Sequence, residues 1–156
     1  LPLRNITMAE QITPHAPSSD ERQPVGALLL RTLAMPADTN PSGDIFGGWL
    51  MAQMDMGGAI LAKELARGRV VTVAVDAITF LKPVAVGDVV CCYGECIKVG
   101  NSSLKIKLET WVKKVASEPI GERYCVTEAA FTYVAVDREG RPRALPAELK
   151  FNKSEI

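Results

Sequence analysis

The sequence predicts an α+β fold in which an antiparallel sheet curls around one long helix. Apolar residues recur at helical spacing in one stretch, residues 46–66. Four β-rich stretches then follow one another with no helix between them, which disfavours alternating βαβ units. The chain has 156 residues, of which 47% are hydrophobic, enough for one domain with its own core.

A polar leader with prolines at positions 2, 14, 17 and 24 precedes the first predicted strand. Because such a segment has little apolar surface to bury, we expect residues 1–24 to be disordered and dispensable. Residues 25–142 form the predicted folded domain. Residues 143–156 are expected to be a loose polar tail.

The strands and the helix are predicted from their residue patterns. A first strand is expected over 28–35 and a turn over 36–44, before the helix, which ends at Gly68. The helix contains the pairs Gly47-Gly48 and Gly57-Gly58, and we expect other backbone to pack closely against the second pair. Asp55, on the same helix, is assigned to packing or to a subunit interface. Stretches that are β-branched or alternate in polarity predict four further strands, over 70–81, 89–99, 104–115 and 123–136.

Composition excludes several classes of function. The chain has 18 basic and 18 acidic residues, and this zero net charge argues against bulk electrostatic binding to nucleic acid or membranes. No apolar run approaches the roughly 18 residues of a membrane span, and the first residues lack the apolar core of a secretory signal. We therefore predict a cytoplasmic location.

Histidine occurs once, as His15 in the leader, which disfavours a histidine-based triad or metal site in the folded domain. We expect no metal and no cofactor, with carboxylates and backbone amides performing any chemistry. The four cysteines have unsuitable spacing for disulfides and are expected to be reduced core residues: Cys91, Cys92, Cys96 and Cys125.

The stretch NPSGDIFGGW, residues 40–49, suggests where that chemistry lies. Glycine weakens a helix by about 1 kcal/mol per residue relative to alanine, so Gly47 and Gly48 at a helix start need an explanation. The N–H groups there could stabilise a ligand oxyanion. Asp44 could then act as base or nucleophile, and Asn40 could orient water or the substrate carbonyl. The alternative is that Asp44 only caps the helix.

This stretch, with LRTLAMPADT before it and TFLKPVAVGDVVCCYGECIKVG and WVKKVASEPIGERY after it, resembles the YciA-like acyl-CoA thioesterases of the hotdog fold. The resemblance covers roughly residues 28–146. It implies a sheet wrapped around one helix, a homodimer formed by continuing that sheet, and assembly of dimers into a trimer of dimers. It also implies hydrolysis of acyl-CoA to a free acid and CoA, with the acidic residue of the family at Asp44 and its asparagine at Asn40. Whether the aspartate activates water or forms an anhydride is left open.

An acyl-CoA substrate brings phosphates, which need cations and N–H or O–H donors. The candidate substrate-binding residues are Arg69, Phe80, Lys82, Ser102, Ser103 and Lys113. Each has an ordinary alternative: a solvated charge, a turn hydroxyl or, for Phe80, a core residue. A non-catalytic acyl-CoA-binding hotdog sensor is the alternative function, although no helix-turn-helix pattern accompanies the domain.

Overall fold

The computed structural model describes residues 22–151 and confirms the predicted α+β architecture. Five strands form one antiparallel sheet in the order β1-β3-β4-β5-β2, and one long helix, α1, packs on one face of it. The elements in chain order are β1 (Ala27–Leu33), α1 (Gly47–Ala66), β2 (Val70–Phe80), β3 (Val89–Val99), β4 (Ser103–Lys113), β5 (Arg123–Ala135) and α2 (Ala147–Phe151).

The core lies between α1 and the sheet. On β4, Leu104, Ile106 and Leu108 alternate toward the helix and are fully buried, as is Met54 on the facing side of α1. Burial of each such side chain contributes roughly 1.5–3 kcal/mol, which holds the helix against the sheet. A second cluster under the start of α1 contains Leu50, Val84, Val90, Val112 and Val126.

The glycine pair in the middle of α1 accommodates side chains of the sheet, not backbone as predicted. A Cβ on Gly57 would lie 3.1 Å from the Cys92 Sγ. A Cβ on Gly58 would overlap the hydroxyl oxygen of Tyr133. The two glycines therefore leave room for Cys92 on β3 and Tyr133 on β5, so that α1 packs close to the sheet at this point.

The two edges of the sheet are β1 and β2. On β2, Val73 and Val75 are 55% and 36% exposed. The pairing of β2 with β5 shifts register between Asp76 and Thr79, and Ala77 has a left-handed φ of 50° within that bulge. An edge strand with exposed apolar residues offers free backbone groups to a further strand.

The segment after residue 142 is not a loose tail, contrary to the prediction, as far as residue 151. Leu145 is only 4% exposed and its N–H donates to the Asn101 carbonyl at 2.9 Å. Arg143 donates from Nη2 to the Ala66 carbonyl, 2.9 Å away, at the end of α1. The reason is that Leu145 closes the end of the core, and Arg143 satisfies a carbonyl that the helix leaves without a partner.

Residues 1–21 of the predicted leader lie outside the described residues, but residues 22–24 are ordered on the sheet face opposite α1. Arg22 forms an ion pair of 2.7 Å with Glu128, and its guanidinium lies 5.9 Å from the Trp111 ring. The Val25 N–H donates to Glu109 Oε1 at 3.1 Å. The prediction of disorder is therefore wrong for residues 22–24, because Trp111 and Glu128 provide Arg22 with an aromatic and a charged contact.

The helices within residues 22–151 are too short or too polar to cross a membrane.

Candidate active site

The turn before α1 is held together by Asn40. Its side-chain Oδ1 accepts the N–H groups of Ser42 at 3.0 Å and Asp44 at 3.1 Å. Its own N–H donates to the Asp44 carbonyl at 2.7 Å. Asn40 thus shapes the loop through its oxygen, and its side-chain amide nitrogen has no hydrogen bond within the described chain.

The Asp44 carboxylate does not cap α1. Its residue is exposed, and no group of the described chain donates a hydrogen bond to its carboxylate. The residue that caps α1 is Phe46, which makes no side-chain capping bond. The capping interpretation of Asp44 is therefore wrong, and its carboxylate faces solvent in the subunit.

The start of α1 presents free backbone donors. The first hydrogen bonds of the helix come from Trp49 and Leu50, which donate to the Phe46 carbonyl at 3.1 and 3.3 Å. Within residues 22–151, the N–H groups of Gly47 and Gly48 have no acceptor. The positive end of the helix dipole lies at the same point, so the arrangement suits an oxyanion.

Gly47 and Gly48 differ in their surroundings. A Cβ on Gly47 would lie 3.2 Å from the Phe80 ring, whereas a Cβ on Gly48 would have no atom within 4 Å. Packing in the subunit thus accounts for the first glycine but not for the second.

A cavity of about 320 Å³ opens beside Gly47. Phe80 and Lys82, from the end of β2 and the segment after it, lie on its wall, as the sequence predicted for substrate contacts. The Lys82 ammonium lies 5.0 Å from the centroid of the Tyr124 ring. The remaining lining residues are Ile45, Leu50, Leu81, Pro83 and Val84.

Asp55, two turns further along α1, is the carboxylate that the structure places in a polar network. The Thr72 hydroxyl donates to Asp55 Oδ1 at 2.6 Å. The Tyr133 hydroxyl lies 3.2 Å from the same oxygen and 3.0 Å from the Asp55 carbonyl. Burial, followed by the Asp55 carboxylate, raises the pKa of Tyr133, so this hydroxyl stays protonated and donates. Sequence reasoning missed this network because Thr72 and Tyr133 lie on different strands.

The other predicted substrate-binding residues lie elsewhere. Arg69 lies at the far end of α1 in a cavity of about 560 Å³, together with Arg67, Arg138 and Arg143. The Ala135 N–H donates to the Ser102 carbonyl and the Val136 N–H to the Arg69 carbonyl, so Ser102 and Arg69 flank the same end of β5. Ser103 begins β4 at that end of the sheet.

Lys113 is separate from both cavities. It lines a small cavity on the sheet face opposite α1, together with Arg31 and Arg123. For a metal, the part of the chain that the structure describes contains no cluster of three or more histidine, cysteine or carboxylate side chains.

Comparison with known proteins identifies a family of similar sequences. The thioesterase superfamily profile matches residues 42–117. The acyl-CoA thioester hydrolase YciA of Escherichia coli (strain K12) is 70% identical over 131 residues, which cover 84% of this chain and 99% of the relative.

Two solved structures add detail. A hexameric broad-specificity acyl-coenzyme A thioesterase, solved as a mutant enzyme with one aspartate replaced by alanine, superposes with a TM-score of 0.79 at 67% identity, covering 84% of this chain and 99% of that one. An acyl-CoA hydrolase from Staphylococcus aureus, solved with coenzyme A as an asparagine-to-alanine mutant, superposes with a TM-score of 0.69 at 31% identity, covering 75% and 68%. A second mutant of that hydrolase has a threonine replaced by alanine.

Proposed function

This chain belongs to the acyl-CoA thioester hydrolases of the thioesterase superfamily, and we propose on that basis that it hydrolyses acyl-CoA thioesters to a carboxylic acid and CoA. Its sheet wrapped around α1 is the hotdog fold that the sequence resemblance implied. The observation that carries the mechanism is the Asp55 carboxylate, which lies at an exposed apolar edge and accepts two side-chain hydroxyls.

Asp44 and Asp55 both qualify as the reacting carboxylate by residue type. An aspartate mutant of the broad-specificity relative supports an aspartate in this role, and each of the two here is a candidate counterpart. Their surroundings differ, because Asp44 is exposed without a side-chain partner, whereas Asp55 is half-buried and oriented by Thr72 and Tyr133. A catalytic group must be held within a fraction of an ångström of its productive geometry, so we assign the role to Asp55.

The separation of two mutated residues in the more distant relative supports Asn40 and Thr72 as further residues of the site. The asparagine and the threonine that were mutated in the Staphylococcus aureus hydrolase lie 32 residues apart. Asn40 and Thr72 have the same separation here. We therefore propose that Asn40, Asp55 and Thr72 act together.

Asp55 and its partner Thr72 cannot meet the Gly47 and Gly48 amides within one subunit, whereas Asn40 lies in the turn that leads into those amides. Asp55 is eight residues after Gly47 in the same helix, which corresponds to about 12 Å along its axis. A carboxylate and an oxyanion donor that act on one thioester must both lie about 3 Å from the reacting atoms. Asp55 therefore acts with the helix start of a partner subunit.

The exposed edge strand β2 offers a surface on which the partner subunit can pair. Two copies of β2 paired antiparallel around a two-fold axis continue the sheet and place two copies of α1 side by side in opposite directions. If the helices cross near Met51, Asp55 of each subunit faces Gly47 of the partner subunit. We propose this homodimer, assembled as a trimer of dimers, as the unit behind a hexamer like that of the relative.

The reaction in this site begins with the thioester carbonyl against the amides of Gly47 and Gly48. Asp55 removes a proton from water, whose oxygen bonds to the carbonyl carbon, and the oxyanion that forms is held by the helix-end amides. The C–S bond then breaks, and the CoA thiolate leaves and takes up a proton. Direct attack by Asp55 to form an anhydride, hydrolysed by water afterwards, uses the same geometry. Either path requires no group beyond the protein and water.

The CoA part of the substrate has two candidate contacts. Lys82 and Phe80 border the cavity beside Gly47, next to the reacting end of the substrate. The nucleotide phosphates fit the cavity of Arg67, Arg69 and Arg138, because this cavity has a cationic excess while Asp137 beside it is paired with Arg141 at 3.3 Å.

The decisive experiment compares Asp55→Asn with Asp44→Asn, with thiol release measured over short, medium and long acyl-CoA substrates. We expect Asp55→Asn to lower kcat by roughly 10³-fold, within the range for loss of a general base, and Asp44→Asn to change it by less than about fivefold. The opposite pattern would return the role to Asp44. A wild-type protein that binds acyl-CoA but releases no thiol would favour the sensor.

A further inference from the structure

We propose that Tyr133 is a positioning residue for the reacting carboxylate, and that Gly58 is glycine because it must leave room for the Tyr133 hydroxyl. This inference rests on the proposed role of Asp55. It concerns a residue of the core that belongs neither to the helix start nor to the cavity beside it.

Tyr133 reaches Asp55 from the opposite side of the core. Its residue on β5 is 0% exposed, and its ring packs against Phe131 with the ring centroids 6.3 Å apart. The hydroxyl crosses to α1, where it contacts Asp55 Oδ1 at 3.2 Å and the Asp55 carbonyl at 3.0 Å. A core residue that needed only bulk would serve equally well as phenylalanine, so the hydroxyl requires a separate explanation.

The hydroxyls of Thr72 and Tyr133 contact one oxygen of the Asp55 carboxylate, Oδ1, and not the other, Oδ2. Thr72 donates to Oδ1 from the edge strand, and the single Tyr133 hydroxyl proton is shared between Oδ1 at 3.2 Å and the Asp55 carbonyl at 3.0 Å. No donor among residues 22–151 contacts Oδ2. With Oδ1 fixed from two directions, the plane of the carboxylate is set, and Oδ2 is the oxygen directed to water or thioester.

Gly58 is the feature of the helix that permits this contact. Glycine in a helix interior is about 1 kcal/mol less favourable than alanine, and Gly58 is three residues after Asp55 on the same side of α1. A Cβ there would overlap the Tyr133 hydroxyl oxygen and lie 3.0 Å from the Leu108 Cδ1. Any side chain at position 58 would therefore displace the hydroxyl from Asp55.

The chemistry of the pair agrees with a positioning role. The titratable groups that face Tyr133 are Asp55 from α1 and Cys92 from β3, and both disfavour its ionisation. Tyr133 therefore remains a hydrogen-bond donor to Asp55.

The test is Tyr133→Phe, which removes one oxygen atom, with Tyr93→Phe on the opposite sheet face as the matched control. We expect Tyr133→Phe to lower kcat about tenfold, the fold-change for losing one hydrogen bond to a charged group, with KM within about twofold. Tyr93→Phe should leave both constants unchanged. A well-folded Tyr133→Phe protein with wild-type kcat would overturn the proposal.

Two further variants separate positioning from packing. In the Asp55→Asn background, Tyr133→Phe should cause no additional loss of the residual rate; an equal tenfold loss there would overturn the proposal. Gly58→Ala should lower kcat in the same way, and it should destabilise the protein less in the Tyr133→Phe background, because the overlapping oxygen is gone. Equal destabilisation in both backgrounds would contradict the role of Gly58. If Tyr133→Phe does not fold, kcat of Gly58→Ala decides: a wild-type value overturns the proposal and a loss supports it.

Failure of this inference is distinguishable from failure of the proposed function. An active Asp55→Asn protein would remove the premise, whereas an inactive Asp55→Asn protein with a fully active Tyr133→Phe protein would remove only the role of Tyr133.

Discussion

Thr72, on the exposed edge strand, donates its hydroxyl to Asp55 Oδ1 on α1 at 2.6 Å, across 17 residues of sequence. The contact joins the helix to the edge strand at which we propose that the partner subunit docks. Short hydrogen bonds of this kind, between a neutral hydroxyl and an ionised oxygen, are among the strong ones in proteins.

This contact predicts that Thr72→Val lowers kcat by roughly tenfold to a hundredfold, because a hydrogen bond to a charged group contributes about 1.5–3 kcal/mol. Thr72→Ser keeps the donor and should retain most of the rate. Steady-state kinetics of the two variants, with circular dichroism as a folding control, provides the measurement. Equal rates for the serine and valine variants would rule out the hydroxyl as the cause.

Gly48 provides a test of the oxyanion site. Because a Cβ there has no atom of the subunit within 4 Å, Gly48→Val should leave the free energy of unfolding of the subunit unchanged or slightly raised. It should nevertheless lower kcat by roughly 10²-fold or more, because the side chain blocks the carbonyl from the amide donors. Melting temperature and kcat are measured on one preparation. An early-melting variant with normal turnover would assign Gly48 to packing instead.

A composite site predicts that two inactive proteins restore activity when mixed. In a heterodimer of an Asp55→Asn subunit and a Gly48→Val subunit, one of the two sites carries both defects and the other carries none. Random pairing after co-expression should therefore yield about a quarter of the wild-type rate. If Asp55 acted with its own helix start, every site would carry a defect, and the mixture would remain inactive.

The arginine cavity predicts a selective effect on substrates that carry the nucleotide. Arg69→Ala should raise KM for an acyl-CoA by about tenfold, since it removes a charge-assisted contact to phosphate. It should leave KM unchanged for the matching acyl-pantetheine, which has no nucleotide phosphates. Lys113→Ala, on the opposite sheet face, is the control. An equal rise in KM for both substrates would show that Arg69 does not bind phosphate.

The buried thiols predict low reactivity in the folded protein. Burial raises the pKa of Cys92 to about 12 and that of Cys125 to about 11, where Glu109 and Glu128 add to the effect of burial. Since the thiolate is the reactive form, both should remain almost unalkylated by iodoacetamide at pH 8, well below either pKa. Peptide mass spectrometry of native and urea-unfolded protein provides the comparison. Rapid native labelling of Cys92 would contradict its burial under Gly57.

The sequence by itself determined the order and type of the main elements. One helix-periodic stretch from Phe46 onward and the β-rich stretches after it correspond to α1 and to β2 through β5, because the periodicity of burial is local information. The free amides at Gly47 and Gly48 were predictable for the same reason, since helix ends leave N–H groups unpaired.

Only the tertiary structure decided which carboxylate is held in place. In the sequence, Asp44 stands in a conspicuous turn and Asp55 is one polar residue in an apolar helix. The contacts that distinguish Asp55 come from Thr72 and Tyr133, 17 and 78 residues away, and they exist only because β2 and β5 pack beside α1. The packing of Leu145 and Arg22 could not be predicted from the sequence for the same reason. Each depends on a surface assembled from strands that are distant in sequence.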